Sequence, residues 1–227
     1  MSVRMRLSGE QRREAIIGAA RQVFAEKGFF GATTRELAVG AGVSEALLFK
    51  HFPNKQALYA AMLESCFRTE FASEYHRLLR LEASTSTLIL MLHFLCSKMI
   101  HGDHDAKDIH RLMLRSLSED GEFMSVLVRH IGTTFIPKLR QCREAASQSG
   151  DLCKNATPAR NCPWLTQHLV LMLGFMRVPE RTVVEYKGPR ENLVEEAVIF
   201  CLRGLGLNDE AIAKFYNPRA LALLAPA

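Results

Sequence analysis

The sequence predicts an all-α protein, and two observations carry that expectation. Apolar residues recur at three- and four-residue spacing along most of the 227-residue chain, and no alternating strand pattern of useful length appears. Val183-Val184, the one β-branched pair of note, falls in a connection. In the first sixty residues Ser8, Thr33, Ser44 and Asn54 read as helix caps, and Gly28, Gly42 and Pro53 read as stops.

Residues 1–7 are a basic start containing Arg4 and Arg6. The first helix is expected from Ser8 to Lys27, with Ser8 and Gln11 forming a capping box and Ile16, Ile17, Ala20, Val23 and Phe24 on one face. Gly28 should end it, and Phe29 and Phe30 are expected in the core behind it. Thr33 with Glu36 caps a second helix carrying Leu37, Ala38 and Ala41 inward. Gly42 suits a left-handed turn, Val43 packs beneath it, and Ser44 caps a third helix to about His51, with Leu48 and Phe52 facing in. Pro53 breaks the chain, and a long helix is expected from Lys55 to about Leu81 through Leu58, Met62 and Cys66.

The remaining helices are expected at Thr85–His101, Lys107–Ser118, Glu122–Ser149 (kinked by Pro137), Trp164–Val178, Glu191–Leu205 and Asp209–Tyr216, which Pro218 would end. Residues 150–163 and 179–189 read as loops.

The spacing in Thr33–Lys55 is informative. A small Ala38 four residues before Gly42, Val43 after it and Leu48 six residues on fit a helix-turn-helix, which lays its second helix in the DNA major groove. The charge agrees: residues 1–60 hold nine Lys/Arg against five Asp/Glu, whereas the rest is nearly balanced, so the basic head is suited to a polyanion.

The same residues carry a family resemblance. "TTRELAVGAGVSEALLFKHFPNKQALY" resembles the N-terminal domain of the tetracycline-repressor (TetR) family, through Thr34, Ala38, Gly42, Val43, Ser44, Phe49, His51, Phe52, Lys55 and Leu58. The resemblance covers about Glu10 to Met62. It implies a helix-turn-helix DNA-binding domain over residues 8–62 and a helical effector-binding and dimerisation domain over residues 63–227, with the helix from Lys55 as the lever between them. By resemblance, Thr34 donates to a phosphate, Arg35 reaches a guanine edge, and Ser44, Glu45, Ala46, Leu47, Phe49 and Lys50 lie on the groove side. Lys50, His51 and Lys55 are expected to hold phosphates, and Arg4 and Arg6 suit the backbone or minor groove. Two departures matter. Phe49 stands where the family usually has Tyr, so a phosphate-binding hydroxyl is absent, and Leu47 is more apolar than the family's frequent Thr or Gly.

One such head offers few base contacts, so a homodimer on a palindromic double-stranded operator is expected. The family's last two large helices form the dimer bundle. Here that implies Leu169, Met172, Leu173 and Met176, then Val194, Ala197, Val198, Cys201 and Leu202. Nine Met and thirteen Phe suit an adaptable apolar effector pocket, for which Phe94, Met99, His110, Met113, Phe123, Met124, Phe135, Gln167 and Phe175 are the candidate lining. The expected protein is thus a regulator, most often a repressor in such a family, released from its operator by a small, mostly apolar molecule.

Two alternatives keep the fold and change the signal. His101, Asp103, His104, Asp105 and His110 cluster within ten residues as possible metal ligands, and Cys153 and Cys162 flank a loop as a possible thiol switch. The general expectation is no metal or cofactor, six reduced cysteines, and buried thiols behaving as small hydrophobes. A third alternative is a helical ligand-binding protein without specific DNA function. No apolar run reaches about eighteen residues and the start is too charged for a signal peptide, so a cytoplasmic protein with no membrane partner is expected. No nucleotide-loop, serine-elbow or HExxH pattern points to an enzyme.

Overall fold

The computed structural model describes residues 8–66, 70–102, 104–154 and 160–222. They form helices connected by turns, with one isolated antiparallel bridge, Leu152–Leu207. Two compact units emerge: residues up to Ser73 with Asp108–Ser125, and Glu74–Lys107 with the chain from Val126 onward.

The first unit is built on α1 (Gly9–Gly31), α2 (Thr34–Gly40), α3 (Glu45–His51) and α4 (Lys55–Cys66). The Ser8–Gln11 and Thr33–Glu36 capping boxes both form, and Ser44 accepts from the Leu47 amide. Gly28, at φ +72°, breaks α1, which resumes for one further turn to Gly31. Gly42, at φ +63°, makes the turn between α2 and α3. Ile16, Ile17, Ala20 and Phe24 from α1 are buried, as are Leu37, Ala38, Leu48, Phe52, Leu58 and Met62. Val23 is only half-buried, and Phe30, expected in the core, is 70% exposed. Beyond the Gly28 break the chain turns Phe29 toward Tyr59, ring centroids 4.9 Å apart, and leaves its neighbour outward.

The long helix expected from Lys55 is seen as α4 and as α5 (Glu70–Arg80), with 67–69 outside the described residues. In the second unit α6 (Thr85–His101) is the central element, buried along Leu88, Ile89, Leu92 and Cys96. Among the helices that pack on it are α9 (Phe135–Gln148), α10 (Cys162–Phe175), α11 (Arg190–Gly204) and α12 (Asp209–Phe215). The other helices are α7 (His104–Ser118), α8 (Glu122–Thr133) and α13 (Pro218–Ala222).

At three prolines the helix boundaries differ from expectation. The single kinked helix Glu122–Ser149 is two helices, broken at Thr134 rather than at Pro137. Proline cannot donate to the carbonyl four residues back and its ring crowds it, so the break falls a turn earlier. Pro163 sits inside the first turn of α10, where its missing N–H costs nothing, so that helix starts at Cys162 and not at Trp164. Pro218 opens α13 for the same reason, rather than only ending the preceding helix. Among the described residues no helix is long and apolar enough to cross a membrane.

Candidate nucleic-acid interface

The helix-turn-helix is held from behind. The Phe24, Phe29 and Tyr59 rings cluster between α1 and α4, and Leu48 and Phe52 anchor α3 in the same core. Arg13 of α1 lies 4.8 Å from the Phe52 ring centroid, a cation–π contact that fixes the end of α3. Glu36 closes its capping box and also accepts from Lys27 Nζ at 2.5 Å. The Lys27 bond, with help from the Thr33 amide and hydroxyl, lowers the Glu36 carboxyl to about 2.

On the outer side, Arg35, Ser44, Glu45, Ala46, Phe49 and Lys50 are exposed, and Thr34, Leu47 and His51 are half-exposed. The structure brings the start of α2 and the start of α3 together: Thr34 Oγ1 donates to Glu45 Oε2 at 2.9 Å. Ser44 Oγ accepts from the Leu47 amide at 3.2 Å and so caps α3, which leaves its hydroxyl proton to donate. Such a face offers cations for phosphates, and a carboxylate, a methyl and an aromatic ring for base edges.

Lys55 is placed differently from the phosphate-holding role expected of it. Its Nζ donates to Phe29 O at 2.8 Å and Ala32 O at 3.0 Å, and stands 4.6 Å from the Phe29 ring centroid. The two carbonyls lie where the α1 end turns toward α2, and both need donors, so the ammonium is drawn inward. Arg4 and Arg6 lie outside the described residues.

Sequence reasoning missed Arg115. Its guanidinium donates to Ala25 O at 3.3 Å and to Glu26 O, capping the carbonyls that the Gly28 break leaves open. Glu119 stands directly over Gly28, where an added Cβ would lie 2.2 Å from its Oε2. The partners are ninety residues apart, and no local pattern signals the contact.

The expected effector residues divide between the units. His110, Met113, Phe123 and Met124 are buried in the first; Phe135, Gln167 and Phe175 are buried and Phe94 and Met99 half-buried in the second. Two open grooves, one along Glu196–Gly204 of α11 and one between α1 and α2, are lined by none of them.

The expected dimer residues also divide. Leu169, Leu173 and Met176 are half-buried and Met172 is 51% exposed. Val194, Ala197, Val198, Cys201 and Leu202 are instead buried within the protomer, on a helix whose main packing partner is α6. Helical periodicity puts Glu196, Ile199, Phe200 and Arg203 on the other face, and Phe200 is 66% exposed. Both faces of α11 carry apolar residues, so the sequence did not distinguish them.

Among the described residues no three His, Cys, Asp or Glu side chains assemble as metal ligands. His101 is exposed and His110 buried, while Asp103 and the side chains of His104 and Asp105 lie outside the described residues. All six cysteines are free thiols: Cys96, Cys142 and Cys201 are buried, Cys66 and Cys162 half-buried, and Cys153 exposed. Burial pushes the Cys66 thiol up to about 11.

Residues 16–62 match the family model of bacterial regulatory proteins, tetR family. A transcriptional activator of Mycolicibacterium smegmatis, FasR, is 41% identical over 59 residues, 26% of this chain and 27% of its own length. RutR of Escherichia coli is 38% identical over 88 residues, 32% of this chain and 41% of its own. The match therefore spans less than half the length of these curated relatives. The fold is shared more widely. The fatty acid degradation regulator FadR from Bacillus halodurans superposes over 89% of this chain and 100% of its own, with TM-score 0.63 and 16% identity. AibR, solved with isovaleryl coenzyme A and operator DNA, covers 83% of this chain and 97% of its own, with TM-score 0.62 and 17% identity. The tetR-family match thus lies in the head, residues 16–62, and the chain as a whole shares the fold of these solved regulators.

Proposed function

We propose that this chain is a sequence-specific DNA-binding transcriptional regulator of the repressor type, acting in the cytoplasm as a homodimer on a palindromic operator. The observation that carries the reading is the outward face of α2 and α3, where Arg35, Glu45, Ala46, Phe49 and Lys50 stand exposed on a rigidly backed helix-turn-helix. Residues 8–62 act as the head and the chain from residue 63 as the effector and dimerisation body. The dimer face comprises the open sides of α10 and α11, where Leu165 is 63%, Met172 51% and Phe200 66% exposed.

The effector is a small, mostly apolar molecule bound in the helical body. AibR and the FadR of Bacillus subtilis, solved with stearoyl-CoA at TM-score 0.60, support an acyl-thioester as the first class to test. Effector binding shifts the population toward a state whose two heads no longer fit the groove register, which requires tighter binding to that state than to the DNA-competent one. Lys55 acts inside the head rather than on DNA. No reaction is part of this role.

Selection of random duplexes on the purified protein, at about 0.15 M salt, tests the reading. Enrichment of one palindrome is expected. Binding without any enriched motif, collapsing as salt rises, would contradict it, because phosphate contacts alone give that behaviour.

A further inference from the structure

We infer that Glu45 determines operator sequence by exclusion: a carboxylate held by Thr34 that must leave this partner on docking and is accommodated only opposite a base amino group. The inference rests on the DNA-binding reading proposed above.

Glu45 is the first residue of α3 and the one acidic side chain on that helix. It is exposed, and its Oε2 accepts the Thr34 hydroxyl at 2.9 Å. In a helix-turn-helix the start of the second helix faces base edges while the first helix crosses the phosphate backbone. Thr34 begins that first helix. A threonine hydroxyl has one proton to give. In the free protein that proton belongs to Glu45, so Thr34 cannot at the same time donate to a phosphate. A phosphate arriving at Thr34 also brings negative charge up to the carboxylate, and the two repel.

Docking therefore frees Thr34 for the backbone and turns Glu45 toward the groove. Its carboxylate can only accept hydrogen bonds. In the major groove the amino donors are cytosine N4 and adenine N6; guanine O6 and N7 and thymine O4 are acceptors that repel it. One half-site position is thus restricted to cytosine or adenine on the contacted strand, largely through the cost of the other bases. Neighbouring side chains do not remove this cost. Ala46 and Phe49 carry no donor, and Lys50 lies five residues on, near the end of the helix. The structural alternative is that the Thr34–Glu45 bond merely ties α2 to α3.

Parallel duplex selections on the full-length wild type and Glu45→Gln separate these readings. The amide keeps the shape and a carbonyl acceptor for Thr34, removes the charge and adds a donor. We expect Glu45→Gln to lose the base preference at one position per half-site, from about tenfold or more to near none, with the other positions retained. We also expect it to bind unrelated duplex more tightly than wild type, by about three- to tenfold at low salt. An unchanged motif with unchanged non-specific affinity would overturn the assignment. So would an equal loss of affinity on all sequences, which is the signature of a structural tie. Failure of the wild type to enrich any motif would instead overturn the regulator reading, and this assignment with it.

Discussion

A single ammonium group bears on both the stability and the docking face of the head. Lys55 Nζ, half-buried, satisfies the Phe29 and Ala32 carbonyls and lies against the Phe29 ring. A charge-assisted bond to a carbonyl is worth about 1.5–3 kcal/mol, and losing both leaves two carbonyls unpaired. Lys55→Ala is therefore expected to lower unfolding stability by about 2 kcal/mol or more, read from urea denaturation. The slope of DNA affinity against salt should stay unchanged, because no phosphate contact is lost. A stable variant whose slope falls by about one would return Lys55 to the phosphates. The residue type was legible in the sequence and its partner was not. A lysine after a helix break suits a phosphate as well as it suits an open helix end. Three-dimensional proximity to Ala32, twenty-three residues earlier, is what sets the Nζ on the helix end.

Caps dominate at the scale of single elements. Ser8, Thr33 and Ser44 all cap as their spacing implied, because a cap is a local bond between residues three apart. Breaks are less local. Gly28 was legible as a stop, but the arrangement that keeps α1 orderly across it comes from Arg115 and Glu119 of the distant α7 segment. Arg115→Ala is expected to speed amide hydrogen exchange in the last turns of α1, around residues 28–32, and to leave the α2–α3 amides slower. Equal exchange in variant and wild type would mean that Arg115 is a surface contact without weight. The break at Thr134 and the helix started by Pro218 teach the same lesson about proline, whose effect depends on where in a helix it falls.

For the molecule as a whole, the all-helical architecture and the head were legible because periodicity and caps act locally, and because the Thr33–Lys55 pattern is specific. The buried and open faces of α11 were not. Val194, Val198 and Cys201 share one face and Ile199 and Phe200 the other, and only the position of α6 decides which is core. If the open side is the dimer face, Phe200→Glu should leave the helical circular dichroism intact and move sedimentation at micromolar concentration from dimer to monomer, since burying an unpaired carboxylate is costly. A variant that remains dimeric would place the interface elsewhere.

On the proposed reading, the outward α2–α3 face reads DNA sequence and not merely charge. The most direct measurement is the affinity of the wild type for its selected duplex against a scrambled duplex of equal length and composition, at about 0.15 M salt. A ratio of about a thousand or more is expected for a specific regulator. Equal affinities would contradict the claim and leave a basic surface that binds phosphates alone.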